Sequence, residues 1–144
     1  MANNWKIHNI NLAVQKLHLK KLFPNSDCTI SHSCLRWTVE LTPSPMCKTY
    51  KAQLTYKLNK NPVVRIIEPE LIIPEGRRLP HVFSENRLCL YVEGEWRGDM
   101  LLSNSVALWI SEWLLHYEIW LITGEWHGGG VHLDRKPYLK NANG

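Results

Sequence analysis

Large apolar side chains recur at helical spacing near the C-terminus of this chain and need a surface to cover them. Residues three and four positions apart share one face of an α-helix, so the spacing predicts a long helix with a buried face. Asn104 or Ser105 is a suitable N-cap, and the pattern runs to Gly124. A helix this apolar has to pack on another layer of secondary structure. The stripe consists of Val106, Trp109, Ile110, Trp113, Tyr117, Trp120 and Leu121.

The N-terminal segment predicts a first helix. Apolar residues recur at helical spacing from residue 7 to about residue 22, and Pro24 then ends the helix. Lys16, Lys20 and Lys21 fall mostly outside the apolar positions, as expected for a helix with one solvated face. The predicted buried face consists of Ile7, Ile10, Val14 and Leu17.

Between the two helices, about three segments predict β-strands. Polar and apolar residues largely alternate over residues 34–41, and further candidates lie at residues 49–58 and 63–67. The residues Asn-Lys-Asn-Pro at 59–62 form a good turn between the last two. Residues 69–88 contain prolines and little periodicity, so they predict an ordered loop. This order of elements predicts an α+β fold, with helices packed on a meandering antiparallel sheet.

Length and composition fit one cytosolic domain over residues 1–144. Hydrophobic residues make up 44% and charged residues 21%, which is a globular balance. The net charge of +4 is small and its basic residues are spread along the chain, so nucleic-acid binding is not indicated. The longest apolar stretch, within residues 109–122, is too short and polar for a bilayer, and the N-terminus lacks a signal-peptide pattern. In the cytosol the four cysteines stay reduced, so a functional cysteine is a nucleophile or a ligand.

A short run around Cys89 carries the candidate chemistry. It reads Leu-Pro-His-Val-Phe-Ser-Glu-Asn-Arg-Leu-Cys-Leu-Tyr over residues 79–91, and Trp96 follows. A histidine, a polar loop and a cysteine therefore stand between the strands and the last helix, and loops held by a rigid scaffold often carry function. Composition alone favours a small buried hydrophobic residue for Cys89 and a backbone-capping loop histidine for His81.

The run resembles the active-site segment of the ubiquitin-conjugating (UBC) enzyme family. In that family a His-Pro-Asn motif precedes an Ile/Leu-Cys-Leu nucleophile, and the helix, sheet, proline-rich loop, cysteine and helix follow the same order. Here Pro80 and His81 take the Pro and Asn positions, so Leu-Pro-His replaces His-Pro-Asn. The resemblance implies a UBC-like fold over residues 7 to about 123. It also implies that Cys89 is the nucleophile, with His81 as the hydrogen-bond donor to the reacting carbonyl oxygen.

One bacterial branch is more similar still, on the Pro-His pair, the Leu-Cys-Leu-Tyr segment and the run at residues 113–120. It comprises the ubiquitin-conjugating-like proteins of cyclic-oligonucleotide-based anti-phage signalling (CBASS) operons. This resemblance implies that Cys89 forms a thioester with the C-terminus of a cGAS-like nucleotidyltransferase and transfers it to an amine. A ubiquitin-like protein is the other candidate donor, and a separate activating enzyme a further candidate partner. No nucleotide cofactor is expected, because no glycine-rich nucleotide fingerprint follows a strand. No metal is expected either.

Three other interpretations stay open. The first is a non-catalytic UBC-fold scaffold that docks a nucleotidyltransferase or a ubiquitin-like protein. The second is a papain-like hydrolase, although that family's cysteine precedes its histidine and opens a helix. The third is a structural zinc site, disfavoured because five residues separate the first two cysteines of the group. The group is Cys28, His32, Cys34 and Cys47.

Several nearby residues have open roles. Tyr91 stands where the family commonly carries an acidic residue that orients the amine, and Arg87 is the cation nearest in sequence to the thiol. Trp96 is predicted to pack behind the active-site loop. Residues 125–132 are interpreted as a flexible turn, with closure over the Cys89 groove as the alternative. The candidates to replace the missing acid are Glu93, Asp99 and Glu125.

Overall fold

The computed structural model describes residues 8–127. The four strands form one antiparallel sheet in the order β1-β2-β3-β4, with one helix before it and one after it. The predicted α+β arrangement of helix, meander sheet, loop and helix is therefore confirmed. Its elements are α1 (Leu12–Leu22), β1 (Asp27–Ser31), β2 (Cys34–Leu41), β3 (Tyr50–Tyr56), β4 (Val63–Glu68) and α2 (Val106–Thr123).

Strand β1 is absent from the predicted set. Cys28 is its only buried residue, so the segment lacks the alternation that identifies a half-buried strand. It pairs with β2 through a two-residue turn at His32 and Ser33, whose φ angles are 51° and 60°. Two positive φ values are what a tight hairpin turn requires, and the usual signal for such a turn is Asn-Gly or Asp-Gly. The pair His-Ser gives no such signal, which is why the hairpin escapes prediction.

Helix α1 begins later than predicted and buries a different face. Asn11 is its N-cap and its side chain accepts a hydrogen bond from the Val14 N–H at 2.9 Å. The predicted face was wrong, because Val14 and Leu17 are 36% and 64% exposed, while Ile7 lies outside the described residues. The residues that α1 buries are Leu12, Gln15 and Leu19.

The buried glutamine explains this difference. The Gln15 side chain is fully buried and makes two hydrogen bonds to the segment before α2. Its Nε2 donates to the Met100 carbonyl at 2.9 Å, and its Oε1 accepts from the Leu102 N–H at 2.9 Å. A pattern that assigns polar residues to the surface places this position outside. The distant backbone partners decide otherwise, because they give both ends of the amide a hydrogen bond.

A single hydrophobic core joins the inner face of the sheet, both helices and the segment between residues 88 and 102. Helix α2 begins after Ser105 and ends at Gly124, as predicted. Gly124 has a φ of 79°, the left-handed conformation that commonly ends a helix. The rings of Tyr50 and Tyr117 meet edge-on at 6.2 Å, which connects β3 to α2. Among residues 8–127, neither helix has the length and apolar character that crossing a membrane requires.

The predicted loop at residues 69–88 is attached to α2 by two buried aromatic residues. The Tyr117 hydroxyl accepts a hydrogen bond from the Ile72 N–H at 2.5 Å. Arg77 donates to the Trp120 carbonyl at 2.8 Å, and its guanidinium lies 4.4 Å from the Trp120 ring centroid. These contacts hold the segment that leads to Cys89 against the helix, although this segment contains almost no regular secondary structure.

We expect Gln15→Ala to lower the free energy of unfolding by about 2–4 kcal/mol, because it leaves a buried carbonyl and a buried N–H without partners. Urea denaturation followed by circular dichroism measures this loss. Gln53→Ala, at a half-exposed position of β3, is the matched control, with an expected change below about 0.5 kcal/mol. Equal losses in the two variants would contradict the bridging role.

Candidate active site

Cys89 lies in a segment that runs beside the outer strand of the sheet. The Leu88 N–H donates to the Val64 carbonyl at 2.9 Å, which fixes this segment against β4. Leu88 and Leu90 belong to the core cluster, whereas Cys89 is only 5% exposed but lies outside that cluster. This is the alternation of strand-like backbone, in which successive side chains lie on opposite sides. Cys89 is thus shielded from solvent without filling the core.

A tight loop brings His81 and Cys89 together. The Cys89 N–H donates to the His81 carbonyl at 2.8 Å, and the Phe83 N–H donates to the Arg87 carbonyl at 2.7 Å. Val82 and Leu88 form an antiparallel bridge between these two bonds. A short 3₁₀ turn at Ser84–Asn86 closes the end of the loop. The backbones of His81 and Cys89, the two predicted site residues, are therefore hydrogen-bonded to each other across this loop.

His81 has a left-handed backbone with a φ of 56°. Histidine and asparagine are among the non-glycine residues that adopt this conformation most often. The His81 carbonyl accepts a second hydrogen bond, from the Trp113 indole N–H at 3.0 Å. The backbone geometry thus explains how a histidine can stand where most UBC relatives have an asparagine.

Trp126 contacts the imidazole of His81. The two ring centroids are 4.8 Å apart, and the Trp126 ring also lies 5.3 Å from that of Trp113. Trp126 is half-buried, so this part of the segment at residues 125–132 is packed rather than a flexible turn. His127 pairs with Glu125 at 3.4 Å, and residues 128–132 lie outside the described part of the chain. Sequence patterns miss this contact, because they do not show where the chain goes after α2 ends.

Tyr91 supplies a neutral hydroxyl close to the thiol. Its ring packs on that of Trp109 at 5.4 Å, and burial raises the pKa of Tyr91 to about 12, with a second contribution from negative charge on Cys89. The phenol therefore stays protonated at neutral pH and keeps its ability to donate a hydrogen bond. The residue that replaces the expected carboxylate is an uncharged donor.

A groove of about 460 Å³ opens at Leu88 and Leu90, the residues that flank Cys89 in the chain. Its walls are mainly apolar, with one cation and one anion at the rim. Grooves of this size hold a small molecule or a few residues of an extended peptide. The lining residues are Asn61, Pro62, Val63, Phe83, Arg87, Leu88, Leu90, Tyr91 and Glu93.

The structure separates the three acidic candidates. Of the three, only Glu93 lines the groove at Leu88 and Leu90. Asp99 pairs with the Arg97 guanidinium at 3.1 Å, and Glu125 pairs with His127. Among these carboxylates, Glu93 is thus the one that an amine entering the groove would meet.

Two further expectations concern Arg87 and Trp96. The Arg87 guanidinium donates to the Ser84 carbonyl and hydroxyl at 3.2 and 3.3 Å and lies 5.7 Å from the Phe83 ring centroid. These contacts hold it at the end of the loop, so an effect on the Cys89 thiol stays a prediction. Trp96 is buried and meets Tyr56 edge-on at 5.1 Å, which confirms its packing role.

The zinc and papain-like interpretations find no support in the described part of the chain. Within residues 8–127, no three His, Cys, Asp or Glu side chains are grouped so that they could hold a metal ion. Cys28 is buried in β1, and burial raises the pKa of its thiol, which is unfavourable for a ligand that binds as thiolate. Cys89 precedes α2 by many residues instead of opening a helix.

We expect the Tyr91 phenol to ionise only near pH 12. A pKa raised by folding stabilises the protein fully below pH about 10, the unfolded value, and this stabilisation is lost as pH rises towards 12. The phenolate absorbance of wild type minus that of Tyr91→Phe measures the titration. Cys89→Ser should lower its midpoint, because the thiolate charge is absent. An unchanged midpoint in Cys89→Ser would contradict the proximity of the two groups.

Comparison with known families agrees with the geometry of the site. A family model described as Type II CBASS E2 protein matches residues 15–133. The match spans the four strands, the Cys89 loop, α2 and the segment that contains Trp126. The search of curated proteins found no match. Since the family match covers most of the chain and contains the Cys89 loop, this chain belongs to the family of Type II CBASS E2 proteins.

Proposed function

We propose that this protein is a ubiquitin-conjugating-like acyl carrier of bacterial anti-phage defence. In this proposal Cys89 takes up the C-terminal carboxyl of a partner protein as a thioester and passes it to an amine. The observation that carries the proposal is the hydrogen bond from the Cys89 N–H to the His81 carbonyl at 2.8 Å. It holds the backbone of Cys89, whose thiol is shielded, against the backbone of His81, whose imidazole is the group that we propose stabilises the oxyanion. Membership of the CBASS E2 family supports the same chemistry.

The reaction has two acyl-transfer steps. The Cys89 thiolate, the reactive form of the thiol, attacks the carbonyl carbon of an activated acyl group, and the activating group leaves. An amine then attacks the thioester, and the tetrahedral intermediate carries negative charge on its oxygen. The intermediate collapses with loss of the Cys89 thiolate, the amine nitrogen gives up a proton, and an amide results.

His81 stabilises the oxygen of that intermediate by donating a hydrogen bond from its imidazole N–H. A donor of this kind typically accelerates acyl transfer by about 100–1000-fold. The two hydrogen bonds on the His81 carbonyl hold its backbone in one position, so little reorganisation is needed during the reaction. An uncharged Tyr91 beside the thiol adds a second possible donor.

Glu93 is the residue that we propose for orienting the amine. It lines the same groove as Leu90 and Tyr91, and we propose that an incoming lysine passes along this groove. A carboxylate there attracts an ammonium group and accepts its hydrogen bonds. This replaces the acid that relatives commonly carry two positions after the cysteine.

The acyl donor that we propose is the C-terminal tail of a cGAS-like nucleotidyltransferase, with a ubiquitin-like protein as the other candidate. The family belongs to CBASS systems, whose signalling depends on oligonucleotide synthesis. A groove of about 460 Å³ at Leu88 and Leu90 has room for the last residues of an extended tail. Charging would draw on a separate activating enzyme.

The low exposure of Cys89, at 5%, favours a second candidate function, a docking scaffold that performs no chemistry. A scaffold needs the UBC-like surface but not the thiol. Defence in the native host would then be unaffected by Cys89→Ala, whereas the carrier requires the sulfur atom.

We expect a glycine-ending peptide, supplied as its mercaptoethanesulfonate thioester, to acylate Cys89 without an activating enzyme. Intact-mass analysis should show a wild-type adduct that thiols remove, and a thiol-resistant ester in Cys89→Ser. Cys47→Ala, which removes a half-buried thiol, is the control that should still load. Equal loading of Cys89→Ala and wild type would contradict the proposal. In the native host, the mass held by Cys89→Ser identifies the donor.

We expect His81→Ala to slow discharge of the loaded peptide to free lysine by about 100–1000-fold, because the oxyanion loses its donor. His81→Asn should keep most of the activity, since an amide N–H also donates and asparagine accepts the left-handed backbone. Single-turnover rates over a range of pH complete the test. A titration seen with wild type but not with His81→Asn would show that His81 acts as a general base instead.

A further inference from the structure

Two tryptophan residues, Trp113 and Trp126, contact His81 on the side of α2. Its imidazole contacts the Trp126 indole at a centroid distance of 4.8 Å, with the planes inclined by 53°. Trp126 in turn lies 5.3 Å from Trp113 and 6.1 Å from His116, both on α2. Trp113 also donates its indole N–H to the His81 carbonyl.

The turn after α2 has the hydrogen bonds needed to hold Trp126 in this place. Gly124 adopts a left-handed conformation, and its N–H donates to the Trp120 carbonyl at 2.8 Å. The Thr123 hydroxyl accepts from the Glu125 N–H at 3.1 Å and also contacts the Glu125 carbonyl at 3.2 Å. The chain therefore reverses at a defined point, and Trp126 packs on the helix that it has just left.

Two residues of α2, His116 and Trp113, pack against Trp126. Burial lowers the pKa of His116, which keeps its imidazole neutral, and the Nδ1 atom is buried without a hydrogen-bond partner among the described residues. The Trp113 ring is buried and stacks on Tyr117 at 5.6 Å with an angle of 11° between planes. The Trp126 indole thus packs against Trp113, a tryptophan of the core.

We propose that Trp126 is a positioning residue for His81, which deepens the proposed function and rests on it. Trp113 fixes the backbone of His81, and Trp126 restricts the rotation of its side chain. A hydrogen bond to a transition-state oxygen needs the donor aimed within about 10–20°. An imidazole that packs against an indole keeps its N–H aimed throughout the reaction, whereas a ring without this contact samples other rotamers.

The direct alternative is that Trp126 only stabilises the fold. A double-mutant cycle with His81 distinguishes the two roles, because a residue that acts through His81 has no effect once the imidazole is gone. The reaction followed is discharge to free lysine of a glycine-ending peptide loaded on Cys89 from its mercaptoethanesulfonate thioester. The four proteins are wild type, Trp126→Ala, His81→Ala and the double variant.

We expect Trp126→Ala to slow discharge about 10-fold in the presence of His81 and less than about 2-fold in the His81→Ala background. Trp126→Phe, which retains a ring, should recover most of the rate, and Trp126→Leu should not. Ile122→Ala, at an 86% exposed position near the same end of α2, is the matched control and should match wild type. Equal slowing by Trp126→Ala in both backgrounds would overturn the inference.

Two further readouts separate the possible failures. The rate of alkylation of Cys89 by iodoacetamide should be the same in wild type and in Trp126→Phe, which shows that the thiol itself is unaltered. The ring-proton NMR resonances of His81, shifted by the indole, should move in Trp126→Leu and stay in place in Ile122→Ala. Unmoved resonances would overturn the contact. A wild-type protein that never loads peptide would overturn the proposed function, and the role of Trp126 in catalysis with it.

Discussion

The carbonyl oxygen of His81 connects the three parts of the candidate site. One hydrogen bond comes from the backbone of Cys89 and the other from the indole of Trp113 on α2. The loop, the nucleophile and the last helix are therefore joined at one atom. His81 has a left-handed backbone conformation, which is unfavourable for most residues. The two hydrogen bonds that its carbonyl accepts from uncharged donors stabilise this conformation. The conformation of this loop follows from that junction more than from its own sequence, which has almost no periodic structure.

The surroundings of Cys89 suit a carrier of acyl groups. The thiol is 5% exposed, the neighbouring Leu88 and Leu90 are in the core, and Tyr91 stays uncharged. A thioester formed in such a place is shielded from water, and exclusion of water limits hydrolysis of a reactive intermediate. The same burial means that an acyl donor must reach the sulfur through a defined approach, and the groove lined by Glu93 opens at Leu88 and Leu90, the two residues that flank Cys89 in the chain.

Helix α2 fills the core and also holds the irregular segment before Cys89 in place. Three of its buried aromatic residues form hydrogen bonds with this segment: Tyr117 with Ile72, Trp120 with Arg77, and Trp113 with His81. Each of these contacts combines a hydrogen bond with a large apolar surface, which is the usual advantage of tyrosine and tryptophan at such positions. A helix rich in aromatic residues therefore replaces regular secondary structure in keeping the site ordered.

By itself, the sequence determined the elements whose signals are local. The stripe from Val106 to Trp120 predicted α2 with its end at Gly124, alternation predicted β2, and the run around Cys89 identified the family. Periodicity and capping depend on residues a few positions apart, so one segment contains the whole signal.

Only the tertiary structure decided the rest. The buried face of α1 depends on Gln15, whose hydrogen-bond partners, Met100 and Leu102, come after the sheet in the chain. Strand β1 depends on its pairing with β2. The contact between Trp126 and His81 depends on where the chain turns after α2, and the choice of Glu93 over Asp99 depends on which carboxylate already has a partner. Most of these outcomes rest on hydrogen bonds and ring contacts between residues far apart in the chain, and such contacts exist only once the core has formed.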